Sequence, residues 1–212
     1  VTRRKVESPT VSHEMLENNI AYIQITEFDQ VTVDQFAEAL AVCKGSGMEG
    51  LIIDLRSNPG GSLTAVCDIA RKILPEGLIV YTEDKYGERE ELTCDGKNEI
   101  QVPMVVLTNG YSASASEILA GAIQDYEKGV LMGTKTYGKG IVQRIIALSD
   151  GSAVKLTISN YFTPKGRNIH KVGVEPDVVV EFDGDAYYNE GFDNQLDEAV
   201  KYMKEQLLQA AE

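Results

Sequence analysis

Two stretches of the chain follow the same order. Residues 51–55 (LIIDL) form a short apolar run, which passes through 56–61 (RSNPGG) into Leu63, Val66, Ala70, Ile73 and Leu74 at helical spacing. Val105, Val106 and Leu107 form a second run, which passes through Asn109-Gly110 into Ile118, Leu119, Ala122, Ile123 and Tyr126. An apolar run without alternation predicts a strand covered on both faces, and the spacing that follows predicts an amphipathic helix. Each stretch therefore predicts strand, loop, helix. Two such units in one parallel sheet bring their loops to the same edge, at the carboxyl ends of the strands, where open α/β sheets place their ligands.

The remaining pattern fills in around these units. Residues 19–25 (NIAYIQI) alternate as a strand, and Val33, Phe36, Ala37, Leu40 and Ala41 mark a helix that Gly45-Ser46-Gly47 ends. Residues 78–82 and 88–93 read as a hairpin around a turn at 84–87, and 129–132 as a short strand. Residues 141–148 and 153–162 pair across Ser149-Asp150-Gly151-Ser152, 178–182 reads as one more strand, and Leu196, Val200, Met203 and Leu207 place a final helix. Helices alternate with strands early and strands pair late, so the class is α/β with a mixed sheet. There is no internal repeat.

Composition narrows the function. The chain has 212 residues and a net charge of −13, which argues against nucleic acid as a partner. No apolar run approaches membrane-spanning length. No signal peptide is visible, but the chain opens on Val1 rather than Met, so that carries nothing about compartment. Residues 1–9 (VTRRKVESP) are basic and stop at a proline, as the tail of something upstream would. Cys43, Cys67 and Cys94 are odd in number and lack a C-x-x-C spacing, so neither a zinc site nor a disulfide framework is indicated. Cys43 and Cys67 fall in helical patterns as small core residues. His13 and His170 sit in polar surroundings and read as surface residues, so a nucleophilic serine here needs another base.

Ser112, Ser114 and Ser116 sit where the second strand becomes a helix, beside the unpaired N–H groups of the helix start. That suits a nucleophile. Ser114-Ala-Ser-Glu117 equally fits a helix capping box, and the two readings can coexist. Residues 133–140 (GTKTYGKG) nearly match a phosphate-binding loop, which offers nucleotide binding as one alternative. Gly140 stands where a Mg²⁺-binding hydroxyl belongs, however, and the segment runs into a strand-like stretch rather than a helix. Lys139 lies between two glycines, and a lysine can replace histidine as the base for a serine.

In order along the chain stand N-P-G-G at 58–61, S-A-S-A-S-E at 112–117, Q-D-Y at 124–126 and Y-G-K-G-I-V-Q at 137–143. They are followed by Y-F-T-P at 161–164, Gly166-Arg167 and G-V-E-P-D at 173–177. This series resembles the carboxyl-terminal-processing (tail-specific) serine peptidases over roughly residues 8 to 182. The resemblance implies a core of ββα units like those of crotonases and Clp peptidases. It also implies a serine endopeptidase that cleaves unfolded or nonpolar C-terminal segments of proteins, with no metal and no cofactor. It makes Ser114 the nucleophile, Lys139 the general base and Gln143 the residue that orients the lysine. The amides of Gly60 and Ala115 become the oxyanion hole, and Asp125 a supporting acid. Even spacing between Lys139 and Gln143 would put both on one side of a strand.

By the same resemblance, residues 1–18 are a linker or the remnant of an upstream PDZ domain, 19–182 the catalytic core and 183–212 a C-terminal helical segment. The partners implied are protein or peptide substrates and, in the full-length protein, a PDZ domain; a homo-oligomer is allowed. The full-length protein would be exported or membrane-tethered. A catalytically idle peptide-binding core is the competing reading. A free lysine titrates near 10.4, about three pH units above neutrality, so a neutral Lys139 has to be desolvated and clear of carboxylates.

Overall fold

The structure, a computed structural model, describes residues 8–210. Of the linker or upstream remnant expected over residues 1–18, residues 1–7 lie outside the described residues. The first sheet is built from β1 (Val11–Met15), β2 (Ile20–Ile25), β3 (Gly50–Asp54), β6 (Met104–Thr108), β7 (Val130–Gly133) and β10 (Val178–Val179), side by side in that order. Pairings from β2 through β10 are parallel, and β1 runs antiparallel to β2, so this sheet is mixed as expected. A second, four-stranded antiparallel sheet has the order β5 (Arg89–Asp95), β4 (Glu76–Asp84), β9 (Ala153–Phe162), β8 (Ile141–Ala147). The late strands thus form a sheet of their own.

The apolar runs do what the pattern predicts. Every residue of β3 and β6 is buried. Leu51, Ile53 and Val106 point to one face, where α1 (Gln30–Gly45), α2 (Leu63–Ala70) and α3 (Ala115–Asp125) cover them. Ile52, Val105 and Leu107 point to the other, against Ala199 and Met203 of α4 (Asn194–Ala210). Two-residue alternation splits each strand between two cores. Helix α1 begins at a reciprocal cap: the Thr32 N–H donates to Asp29 Oδ1 and the Asp29 N–H to Thr32 Oγ1, both at 3.0 Å.

Two expected boundaries move. Residues 11–15, assigned to a linker, pair in register with β2 and belong to the sheet. They escape the pattern because VSHEM is an edge strand with three exposed residues. The strand expected over 178–182 shortens to Val178–Val179, since its neighbour β7 is only four residues long. The C-terminal helix closes one face of the core. Its start is held by Arg56, whose guanidinium contacts Asp54 at 2.7 Å and Asp193 at 2.8 Å and donates to Gln195 at 3.1 Å. The Tyr22 hydroxyl donates to Asp54 Oδ2 at 2.7 Å. Burial, with Asp54 beside it, pushes the Tyr22 phenol well above its ordinary value. Burial alone would raise the Asp193 carboxyl, but hydrogen bonds from Arg56 and from backbone amides hold it below the usual carboxylate range.

Breaking this buried network at its centre strands Asp54, which has no solvent access. Arg56→Ala is therefore expected to cost about 3–5 kcal/mol of stability in urea unfolding. Because the folded value of Asp193 lies below its unfolded value, its contribution is complete above about pH 4 and is lost as pH falls through the lowered value. Asp193→Asn should be less stable than wild type at neutral pH, and that difference should shrink on acidification.

Candidate active site

The two strand–loop–helix units place their loops against each other. After β3 the chain runs through Asn58-Pro59-Gly60-Gly61. Asn58 is fully buried, and its Nδ2 donates to the Ile25 carbonyl at 2.8 Å. Its backbone carbonyl accepts from the Ala113 N–H and from Ser116 Oγ, both at 3.0 Å. Ser112 Oγ donates to the Leu55 carbonyl at 2.8 Å. Ser112 and Ser116 are thus buried struts that lock the second loop onto the first. Ser114 is partly exposed, and among the described residues its hydroxyl donates to no carbonyl.

Ser114 is presented by an unusual backbone. Its φ and ψ are 56° and −112°, the first central position of a type II′ turn, where glycine is the usual occupant. Such strain at the step from strand to helix lifts a nucleophile out of the turn. Gly60 lies directly beneath it: a Cβ on Gly60 would sit 2.8 Å from Ser114 Cβ and 2.9 Å from the Ala115 nitrogen, and its φ is +100°. The Ala115 N–H, at the start of α3, has no hydrogen-bond partner among the described residues and stays available to an oxyanion. The Gly60 N–H donates to Asn58 Oδ1 at 2.8 Å, so in this arrangement Gly60 supplies close approach, while its expected donor is committed to the loop.

The other half of the site hangs on Glu117. This side chain has no solvent access, and both its oxygens are used twice. Oε1 accepts from Thr136 Oγ1 at 2.6 Å and from the Gly138 N–H at 2.7 Å. Oε2 accepts from the N–H groups of Ser114 and Lys139, both at 2.8 Å. The Ser114 and Lys139 nitrogens therefore lie no more than twice that distance apart, about 5.6 Å. The amides of the GTKTYGKG loop cradle an internal carboxylate rather than a phosphate, and the loop runs into β8 with no helix behind it. That argues against the nucleotide-binding alternative. Gly140 is required by crowding, since a Cβ there would fall 2.5 Å from the His170 nitrogen.

Three expectations fail in this arrangement. The Lys139 side chain is exposed rather than desolvated, and among the described residues no hydrogen bond joins it to Ser114. Gln143 is also exposed and donates to Thr157 Oγ1 at 3.4 Å instead of meeting Lys139. Its pairing with β9 shifts register between Val142 and Gln143, and Lys139 precedes the strand, so simple alternation does not apply. His170, expected at the surface, is half-buried, with Nδ1 enclosed and unpartnered. Asp125 is buried at the far end of α3, accepting from the Lys165 N–H at 2.7 Å and pairing with Arg167, a supporting position away from Ser114. Cys43, Cys67 and Cys94 are buried free thiols.

Two residues beside Ser114 carry no functional signal in the sequence pattern. Glu117 read only as a helix cap, because its burial depends on a loop that arrives 19 residues later. Tyr161, part of the Y-F-T-P motif, is buried beside Ser114. Burial raises its phenol, the Cys67 thiol adds to that, and the Ser114 hydroxyl acts in the opposite sense.

Comparison with known proteins identifies the family. Residues 19–180 match the model of Peptidase family S41. A carboxyl-terminal-processing protease of Synechocystis is 46% identical over 163 residues, covering 77% of this chain and 38% of that protein. The carboxy-terminal processing protease CtpA of Bacillus subtilis is 37% identical over 182 residues, covering 85% of this chain and 39% of that protein. The chain thus spans roughly two fifths of these relatives' length. The solved structure of the photosystem II D1 C-terminal processing protease superposes with a TM-score of 0.76 at 35% identity, covering 85% of this chain and 50% of that one. With its two strand–loop–helix units and a family match across most of its length, the chain belongs to peptidase family S41.

Proposed function

We propose that this chain is the catalytic core of a serine endopeptidase working through a Ser114–Lys139 dyad. The observation that carries the reading is the convergence of Ser114, strained and presented at the start of α3, with the Lys139 backbone on one Glu117 oxygen. Ser114 Oγ attacks the scissile carbonyl carbon while its proton passes to Lys139 Nζ. The carbonyl oxygen becomes an oxyanion facing the Ala115 N–H and the positive end of α3. Lys139 then returns the proton to the leaving amine, and water hydrolyses the acyl ester. Reach is no obstacle, because the lysine stem is four carbons long and flexible and its backbone is already beside Ser114. The step does require the amine to turn inward and lose water. Gln143 then supports it as a neutral acceptor.

The surroundings of Gln143 support a substrate class. A groove of about 440 Å³ beside Gln143 has an apolar side made by Leu63, Val142, Ile145 and Ile158, with Thr82, Glu90, Arg144 and Ser159 lining the rest. It suits apolar side chains of an extended peptide, in keeping with relatives named for carboxyl-terminal processing. We therefore assign unfolded or nonpolar C-terminal segments of proteins as substrates. For the full-length protein we propose an upstream PDZ domain and an extracytoplasmic location. The exposure of Lys139 and Gln143 favours one competitor, an idle core that binds peptides without cleaving them.

Cleavage of an unfolded polypeptide separates these readings. Ser114→Ala and Lys139→Ala should each fold and lose at least about 10³-fold in kcat. Lys139→Arg should be equally inactive, since arginine keeps its proton. Full activity in any of them rejects the dyad, and peptide binding by an uncleaving wild type would favour the idle core. Gly60→Ala should remove activity by displacing Ser114, with a loss of about 10²-fold or more.

A further inference from the structure

Within the dyad reading, one side chain does more than either sequence pattern assigns to it. Glu117 sits on the first turn of α3, fully enclosed, and accepts four hydrogen bonds. Two elements supply the donors. Ser114 comes from the loop between β6 and α3. Thr136, Gly138 and Lys139 come from the loop between β7 and β8, which connects the two sheets.

We propose that Glu117 is the positioning residue of this site, coupling the lysine loop to the strained serine so that both halves of the dyad hold one geometry. A carboxylate is the group this junction needs. All four partners are donors, and a carboxylate meets them with acceptors on both oxygens and no hydrogen of its own. The amide of a glutamine presents one oxygen and one NH₂, which would face two of the donors with hydrogens. An apolar residue would leave four buried donors unpaired.

The chain of contacts shows how position passes along. Oε2 holds the Ser114 N–H and so stabilises a backbone conformation that serine disfavours. The same oxygen fixes where the Lys139 side chain leaves the main chain. Thr136 extends the clamp, since its hydroxyl donates to Oε1 and accepts from the Val174 N–H at 2.7 Å. Glu117 touches no reacting atom in this scheme and acts only through Ser114 and Lys139.

The test is steady-state cleavage of an unfolded polypeptide by the 212-residue chain and its variants, with thermal unfolding alongside. Glu117→Gln should lower kcat by about 10²-fold while leaving KM within about threefold, the signature of lost alignment rather than lost substrate binding. Labelling of Ser114 by a fluorophosphonate should slow in parallel. Added to Lys139→Ala, the same change should give no further loss, because the pair it aligns is already broken. Thr136→Val serves if Glu117→Gln does not fold, and should lower kcat about tenfold at constant KM. Unchanged kcat in a folded Glu117→Gln, or in Thr136→Val, overturns the proposal. So does a fully multiplicative loss in the double variant. If Glu117→Gln keeps its rate while Ser114→Ala and Lys139→Ala are inactive, the dyad stands and only the positioning role falls.

Discussion

A buried carboxylate with four donors around it is the constraint on which this site depends. An acid without solvent is tolerated only where its hydrogen bonds are complete, and here they are. The consequence is geometric. Glu117 ties the start of α3, which packs on the mixed six-stranded sheet, to the loop that leads into the antiparallel one. The Tyr137 N–H, donating to the Ser112 carbonyl at 3.0 Å, joins the same two loops a second time.

The rest of the fold supports the junction from behind. β3 and β6 are neighbours in the sheet, so the loops that follow them meet. Ser112 and Ser116 bond those loops together through Leu55 and Asn58 and leave Ser114 as the serine that is presented. On the opposite face, the Arg56 network fastens α4 to the end of β3 and closes the second core. Strain at Ser114 persists because the surrounding contacts over-determine it.

Much of this was legible in the sequence, and the exceptions have physical reasons. The two strand–loop–helix units could be read because strands buried on both faces are written as unbroken apolar runs. N-P-G-G and S-A-S-A-S-E marked the two loops, and the middle serine is the one the fold presents. The edge strand at 11–15 could not be read, because a strand with an exposed face and an open side needs little apolar signal. The division of the late strands into a second sheet is a matter of long-range pairing that local pattern does not encode. Glu117 reads locally as part of a helix capping box, since nothing local shows that Thr136, Gly138 and Lys139 will enclose it. The exposure of Lys139 likewise depends on side-chain rotation, which no motif specifies.

Amide hydrogen exchange measures the central claim most directly. With Glu117 bridging the two loops, the Ser114, Gly138 and Lys139 amides should exchange slowly in the wild-type chain, and all three should speed up together in a folded Glu117→Gln variant. Rapid exchange of Gly138 and Lys139 in the wild type, or protection unchanged by the substitution, would contradict the account.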